Sequence, residues 1–153
     1  MAFVPPCLQS LERLSELNLA KNKLRSVPQD SLVGLRNLVM LDLHQNAFEA
    51  FTAVPMSKKL DTLNLAYNQI EKIENLQNAP NMTVLDLHNN KLKALPPAEI
   101  LIELSQLKTL TISNNNLSDI DPHISLLPNL IRIAIEGNPL RAIKPSMRSA
   151  GAA

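Results

Sequence analysis

Two aspartate–histidine pairs are the side chains of this sequence best suited to acid–base chemistry or metal binding. Asp42 precedes His44 by two positions, and Asp86 precedes His88 by the same spacing. Residues two apart on a β-strand lie on one face, so each carboxylate can accept a hydrogen bond from its own imidazole. Whether the two pairs also meet each other depends on the elements that carry them.

A nucleophile or a bound cofactor has little support in the sequence. The single cysteine, Cys7, is expected at a small apolar position, because a reactive thiol needs a positioned base and the sequence indicates none. The sequence contains no glycine-rich phosphate loop and no HExxH, CxxC or GxSxG motif. We therefore predict that the chain is not an enzyme and uses no metal, no cofactor and no small-molecule substrate.

The elements that carry these residues follow from a spacing pattern that runs through the chain. The segment from Leu14 to Leu24 has the form LxxLxLxxNxL, and the same frame occurs five more times. The asparagine of the frame is found at Asn22, Asn46, Asn68, Asn90, Asn115 and Asn138. Successive asparagines are 22 to 25 residues apart, within the period of about 20–29 residues that is typical of leucine-rich repeats.

The chain thus resembles the leucine-rich repeat family over nearly its whole length. The resemblance implies an α/β solenoid, a horseshoe with a parallel sheet on its concave side and with loops, 3₁₀ turns and short helices on its convex side. We assign residues 1–13 to the tail of a partial N-terminal repeat. Six repeats are predicted over residues 14–37, 38–59, 60–81, 82–106, 107–129 and, incompletely, 130–153.

The ends of the chain indicate a segment of a longer repeat protein or an abbreviated member of the family. Residues 4–11 resemble the convex tail of a further repeat, whereas a solenoid end needs a polar cap. Residues 137–141 resemble the last repeat of many cytosolic members, and this block is locally similar to one intracellular member. The third repeat resembles the 22-residue type of the regulatory subunits of protein phosphatase 1.

The residue types of each frame have a physical reason. In Leu17-Asn18-Leu19 the leucines alternate with a polar residue, as in a short strand with one buried face. The frame asparagine follows where the chain turns inward, and its amide can satisfy backbone groups of neighbouring turns. The six asparagines are therefore predicted to form a structural ladder. Prolines belong outside the strands, and residues 97–104 are predicted to form a convex-side helix with Pro97 near its start.

The strand positions between the buried leucines are predicted to form a binding surface on the concave side. Six strands about 4.8 Å apart give a sheet about 25–30 Å long, which is enough for an ordinary protein interface. Its outward residues are mostly small and polar, without an aromatic cluster. The predicted partner-binding residues are Glu16, Asn18, Met40, Asp42, His44, Thr62, Asn64, Tyr67, Val84, Asp86, His88, Thr109, Thr111, Ser113, Arg132 and Glu136.

The two aspartate–histidine pairs fall in the second and fourth repeats, about 10 Å apart, which is too far for one shared metal ion. Because LDLHxN is ordinary in these repeats, we interpret the pairs as part of the repeat pattern, with a contribution to partner binding as the alternative. Basic residues near the strand exits are interpreted as a solvated rim and not as an anion site. They are Lys21, Lys23, Arg25, Lys91 and Lys93.

Charge and composition argue against several classes of partner. The 15 basic and 14 acidic residues give a net charge of +1, whereas a nucleic-acid site needs a concentrated basic face. The same balance gives no reason to propose a membrane partner, and no apolar run approaches the ~20 residues that span a bilayer. A lone cysteine cannot form an internal disulfide, and no signal-peptide pattern opens the sequence. We therefore predict a cytoplasmic protein, with the nucleus as the alternative.

These observations predict a non-catalytic protein–protein interaction module or scaffold that binds another protein on its concave face. The family resemblance implies roles in signalling or assembly. Two alternatives stay open. One is a recognition or regulatory segment of a larger enzyme complex, such as a phosphatase regulator, and the other is a fragment of a receptor-type repeat protein.

Overall fold

The computed structural model describes residues 3–141 of the chain. Eight short strands lie in this part: β1 (Glu16–Asn18), β2 (Met40–Asp42), β3 (Ala50–Phe51), β4 (Thr62–Asn64), β5 (Lys72–Ile73), β6 (Val84–Asp86), β7 (Thr109–Thr111) and β8 (Arg132–Ala134). Six of them form one parallel sheet in the order β1-β2-β4-β6-β7-β8. This arrangement confirms the predicted leucine-rich repeat solenoid. The predicted end of the last repeat, residues 142–153, lies outside the described residues.

The sheet register follows from the buried central residue of each strand. Leu17 is aligned with Leu41 and Leu41 with Leu63, and the same pairing continues through Leu85 to Leu110. A one-residue slip would turn every one of these leucines to the solvent side, so burial fixes the register strongly. The outward residues are therefore aligned in columns. The first column is Glu16, Met40, Thr62, Val84, Thr109 and Arg132.

The return segments of the repeats carry the small remaining elements. Strands β3 and β5 pair in parallel in a separate two-stranded sheet. Two short α-helices, α1 (Asp30–Val33) and α2 (Ala98–Leu101), and three 3₁₀ helices (Pro6–Ser10, Leu76–Asn78 and Pro122–Leu126) complete the described part. The helix predicted over residues 97–104 is shorter than expected. Beyond Ile102 the backbone bonds link residues three apart, Glu103 to Ile100 and Leu104 to Leu101, and this tighter geometry ends the α-helix.

The core is one continuous stack of aliphatic layers. Leu24, Leu43 and Leu65 have no solvent exposure, and equivalent leucines of later repeats continue the stack. Two aromatic residues interrupt the aliphatic pattern, because Phe48 and Phe51 are both buried with ring centroids 5.6 Å apart in an edge-to-face arrangement. Cys7 does not belong to this core. The prediction that it fills a small apolar position is wrong: its side chain is exposed, while Val4 and Leu8 of the same segment pack inward.

The frame asparagines link successive repeats through their side-chain amides. The Oδ1 atom of Asn68 accepts a hydrogen bond from the Phe48 N–H at 3.2 Å, and its Nδ2 atom donates to the carbonyl oxygens of Leu43 and Leu65. Asn90 repeats this pattern one turn later, with Ile70 as the donor. Asn68, Asn90, Asn115 and Asn138 are buried, and Asn22 and Asn46 are half-buried. The amides thus satisfy backbone groups that the inward turns remove from water.

Gly34→Ala is expected to lower the free energy of unfolding by about 1–3 kcal/mol, the usual cost of overpacking. Gly34 caps helix α1, and a methyl group there would overlap the carbonyl oxygen of Gln9, a rigid backbone atom of the 3₁₀ helix Pro6–Ser10. Alanine also lowers the conformational entropy of the unfolded chain, but this gain offsets only about 0.4–1 kcal/mol of the loss. Urea denaturation measures the difference. Gln29→Ala, at the exposed other end of α1, is the control, and equal losses from both variants would contradict this account of packing.

Candidate protein-binding site on the concave sheet

The six-stranded sheet displays nearly all of the predicted binding residues on one face. Glu16, Asn18, Tyr67, Arg132 and Glu136 are exposed. Ten others are half-buried between neighbouring strands: Met40, Asp42, His44, Thr62, Asn64, Val84, Asp86, His88, Thr109 and Thr111. These fifteen side chains are therefore accessible from solvent, as a binding surface requires.

Ser113 is the exception, because it is only 5% exposed. The prediction that it lies open on the binding face is wrong. Its column places it between His88 on one side and Glu136 on the other, and both neighbours have much longer side chains. The side chain of Ser113 is the shortest of the three and is removed from solvent. The sequence pattern gives the column of a residue but not its height above the sheet.

The two aspartate–histidine pairs form as local hydrogen-bonded units. The Nδ1 atom of His44 lies 2.7 Å from Oδ1 of Asp42, and the corresponding distance for His88 and Asp86 is 2.5 Å. In each pair the same carboxylate oxygen also accepts the backbone N–H of the histidine at 3.1 Å. Each aspartate thereby contacts its histidine at two points, the backbone N–H and the ring Nδ1 atom, and the contact at Nδ1 orients the imidazole.

A third pair of the same type was missed in the sequence, although the same spacing identifies it. Asp121 and His123 flank Pro122 at the start of the last 3₁₀ helix, with Nδ1 of His123 2.7 Å from Oδ1 of Asp121. The backbone N–H of His123, and then its ring, hold the pKa of the Asp121 carboxyl below its usual range. This pair lies on a return segment and not on the six-stranded sheet.

The pairs on the sheet do not converge on a metal site. Strand β4 separates β2 from β6, so Asp42 and Asp86 are two strands apart, which corresponds to about 10 Å. Within residues 3–141 no three or more histidine, cysteine, aspartate or glutamate side chains are grouped closely enough to hold a metal ion. The geometry instead gives two separate polar anchors on one face.

Tyr67 makes a contact between repeats that the sequence analysis did not anticipate. Its ring centroid lies 4.8 Å from that of His88, with the ring planes at 80°. Its backbone N–H donates to the carbonyl oxygen of His88 at 3.0 Å. The side chain is 49% exposed. Tyr67, His88 and Asp86 therefore form a connected set on the sheet surface, which we call the Tyr67 cluster.

The charged groups divide the face into two halves. On β1, β2, β4 and β6 the outward positions carry Glu16, Asp42 and Asp86 but no lysine or arginine, and Asp61 immediately precedes β4. Arg132 lies at the other end of the sheet, on β8. In the predicted basic rim, Lys93 forms an ion pair with Glu71 at 3.0 Å, and Nζ of Lys91 donates a hydrogen bond to the neutral amide of Gln69 at 3.3 Å.

Family models match the repeats along most of this chain. A leucine-rich repeat model matches residues 5–48, a model of two leucine-rich repeat copies matches residues 58–99, and a single-repeat model matches residues 106–127. Together these ranges cover more than half of the sequence and coincide with the strands and turns described above. The chain is a leucine-rich repeat protein.

Individual relatives share this repeat region and extend well beyond it. Osteomodulin of Bos taurus is 32% identical over 135 residues, which is 85% of this chain and 31% of the relative. Tubulin-specific chaperone E of Xenopus laevis is 31% identical over 84% of this chain and 27% of the relative, and keratocan of Gallus gallus is 30% identical over 86% and 38%. The chain thus spans roughly a third of the length of these relatives.

The same fold is found in the solved octameric complex of latrophilin 3, Unc5D and FLRT2, to which FLRT2 contributes leucine-rich repeats. The TM-score is 0.71 at 21% identity, and the match covers 86% of this chain and 41% of that chain. At this identity the likeness concerns the fold. It agrees with the sheet order and register described above.

The prediction of a cytoplasmic location is wrong. Osteomodulin and keratocan are secreted matrix proteins, so the relatives point to an extracellular location and not to the cytoplasm. The intracellular repeat type, and the local similarity of the last repeat to leucine-rich repeat-containing protein 40, likewise find no support among them. The error has a simple cause, because the prediction used missing signals, and a repeat segment need not carry them.

Over residues 3–141 no helix is long and apolar enough to cross a bilayer.

Proposed function

We propose that this chain is a non-catalytic interaction module that binds another protein through the outward face of the six-stranded sheet. The observation that carries the proposal is the row of solvent-accessible side chains from six parallel strands in register. Because the asparagine amides and the leucine stack fix the backbone beneath them, these side chains are presented with little freedom to lose on binding. Preorganisation of this kind lowers the entropic cost of association.

The relatives support the proposal and suggest where the partner lies. FLRT2 contributes its leucine-rich repeats to a complex with two other proteins, and such repeat domains act as interaction modules in the proteins similar to this chain. Since these relatives are largely extracellular, we expect the partner to be a matrix or cell-surface protein. A nucleic acid, a lipid membrane or a small-molecule substrate fits the mixed polar face less well.

A receptor-type role is the second candidate. FLRT2 is a receptor, and receptor like protein 21 of Arabidopsis thaliana is 39% identical over 93 residues, 58% of this chain. In such a role the sheet would still be the recognition surface, and the signal would arise elsewhere in a longer chain. The third reading, a regulatory segment of an enzyme complex such as a phosphatase, rests on the single 22-residue repeat and remains a prediction.

A triple variant of the sheet face is expected to abolish partner capture. Met40→Lys, Asn64→Arg and Val84→Lys place positive charges at three half-buried outward positions on adjacent strands. Desolvating unpaired charges at an interface centre costs several kcal/mol, so binding should fall at least ~100-fold. The measurement is affinity capture from conditioned medium and solubilised surface proteins, with the wild-type chain in parallel and bound proteins identified by mass spectrometry.

A matched control carries the same kinds of substitution away from the sheet. Val33→Lys, Met56→Lys and Gln77→Arg lie at exposed positions outside the six-stranded sheet. This variant should capture the same proteins as the wild type. Both variants must first show wild-type denaturation midpoints. A protein retained by the sheet variant and lost by the control would place the binding site on the return segments and contradict the proposal.

A further inference from the structure

Tyr67 stands out among the residues at the strand exits. In each repeat the residue before the frame asparagine has a left-handed backbone, with φ between 53° and 74° at Lys21, Gln45, Tyr67, Asn89, Asn114 and Gly137. This conformation costs about 1–2 kcal/mol for most residues and is unusual for a bulky one. The chain places its only tyrosine there, and half of the side chain remains exposed. The backbone conformation is common to all six repeats, so what distinguishes Tyr67 is the exposed aromatic ring that this position carries.

The groups around the ring hold it in a defined place. His88 packs against the ring of Tyr67 and also accepts the Tyr67 N–H through its carbonyl oxygen. Asp86 orients the imidazole of His88 through its Nδ1 atom and also accepts the backbone N–H of His88. A half-exposed aromatic ring that contacts a histidine paired with a carboxylate offers two features that attract a cationic side chain, a π-face and a negative charge.

The surface around Tyr67 is negatively charged, like the carboxylate of Asp86. The outward positions of β1, β2, β4 and β6 include three carboxylates, and Asp61 adds a fourth beside β4. No lysine or arginine occupies the outward positions of these four strands, and Lys21, in the position equivalent to Tyr67 at the exit of β1, offsets only one of the four negative charges. The chain as a whole has a net charge of +1, so this half of the sheet is negative against a slightly positive background. A positively charged partner is therefore favoured here, because complementary charge speeds the encounter of two surfaces and fixes their alignment.

From these observations we infer that the negative half of the sheet binds an arginine-bearing segment of the partner protein. The guanidinium of one arginine stacks on the exposed side of Tyr67 and pairs with the carboxylate of Asp86. Arginine fits better than lysine, because its planar group both stacks on an aromatic ring and pairs with a carboxylate. The inference rests on the proposed function and adds the chemistry of the partner to it.

The second aspartate–histidine pair determines how the arginine-bearing segment of the partner is aligned on the sheet. Asp42 and His44 lie two strands from Asp86 and His88, about 10 Å away. In an extended chain, residues three apart are separated by about 10 Å. Two arginines three residues apart can therefore reach both pairs at once. Binding at two linked points raises the affinity above that of either point alone.

Binding of the arginine-bearing segment can be measured through the fluorescence of Tyr67. Because the chain has one tyrosine and no tryptophan, its intrinsic fluorescence reports on Tyr67 alone. The probe is a capped six-residue peptide with two arginines three residues apart, and matched peptides carry citrulline or glutamate instead. At low ionic strength the arginine peptide should change the emission saturably. The citrulline and glutamate peptides should bind at least ~10-fold more weakly, since they lack the positive charge.

Two isosteric variants separate this site from general charge effects. Asp86→Asn keeps the oxygen that His88 contacts but removes the charge. This variant should bind the arginine peptide about three- to tenfold more weakly than the wild type. Asp121→Asn makes the same change in the pair outside the sheet and should leave the affinity within about 1.5-fold. Asp42→Asn serves as a second sheet variant if Asp86→Asn alters the denaturation midpoint.

The outcomes decide between clear alternatives. Saturation by the arginine peptide with selective loss in Asp86→Asn supports the inference. No saturable change, an equal response to the glutamate peptide, or equal effects of Asp86→Asn and Asp121→Asn would overturn it. If the sheet variant still loses a captured protein in the experiment above while the peptide fails, the binding face stands and only the partner chemistry is wrong.

Discussion

Replacing Asn90 by alanine is expected to lower the free energy of unfolding by about 2–3 kcal/mol. The Oδ1 atom of Asn90 accepts the N–H of Ile70 at 2.9 Å, and both residues are buried. The carbonyl oxygens of Leu65 and Leu87 keep second amide donors in the variant, from Asn68 and Asn115. The Ile70 N–H loses its side-chain acceptor in a dry site, and an orphaned buried donor costs about 1–3 kcal/mol. Equilibrium denaturation in urea measures the loss.

Asn116→Ala is the matched control, because Asn116 follows a ladder asparagine directly but is exposed. Its backbone N–H bond to the Leu92 carbonyl oxygen persists in the variant. The change in unfolding free energy should stay within about 0.5 kcal/mol. If the two variants lose similar, small amounts, the amides contribute little and the stack is held by apolar burial alone.

The register of the sheet could be predicted from the sequence because two independent constraints agree. The spacing LxLxxN assigns Leu41, Leu63 and Leu85 to equivalent positions, and burial of these leucines excludes any other alignment. The columns of outward residues follow directly. Features that depend on side-chain length were not predictable in this way. Ser113 is buried in a column whose neighbours have longer side chains, and Cys7 is exposed while Val4 and Leu8 pack against the core.

The candidate site was only partly predictable for a related reason. The hydrogen bond within each aspartate–histidine pair is local, so the two-residue spacing was sufficient to anticipate it. The contact between Tyr67 and His88 joins two repeats, and it depends on the direction that a left-handed backbone at Tyr67 gives to the ring. Spacing within one repeat carries no information on such a contact. The cellular location was not predictable either, since it was argued from missing signals.

The largest loss of stability is expected from Phe48→Ala, at about 3–5 kcal/mol. Phe48 has no solvent exposure and packs edge-to-face on Phe51, whose ring is also buried. Alanine removes the apolar contact and leaves a cavity between repeats that the stiff leucine layers cannot fill. The backbone N–H bond from Phe48 to Asn68 remains, so the loss measures packing and not the ladder.

Phe3→Ala is the control for this change, since the same side chain is removed from a position that is 70% exposed. It should alter the unfolding free energy by less than about 0.5 kcal/mol. In a repeat stack each layer is supported chiefly by its two neighbours, so the Phe48 cavity should loosen the second and third repeats first. Hydrogen exchange should then show lost protection at Leu41 and Leu63 before Leu110. Uniform loss across all six strands would mean that the solenoid unfolds as a single cooperative unit.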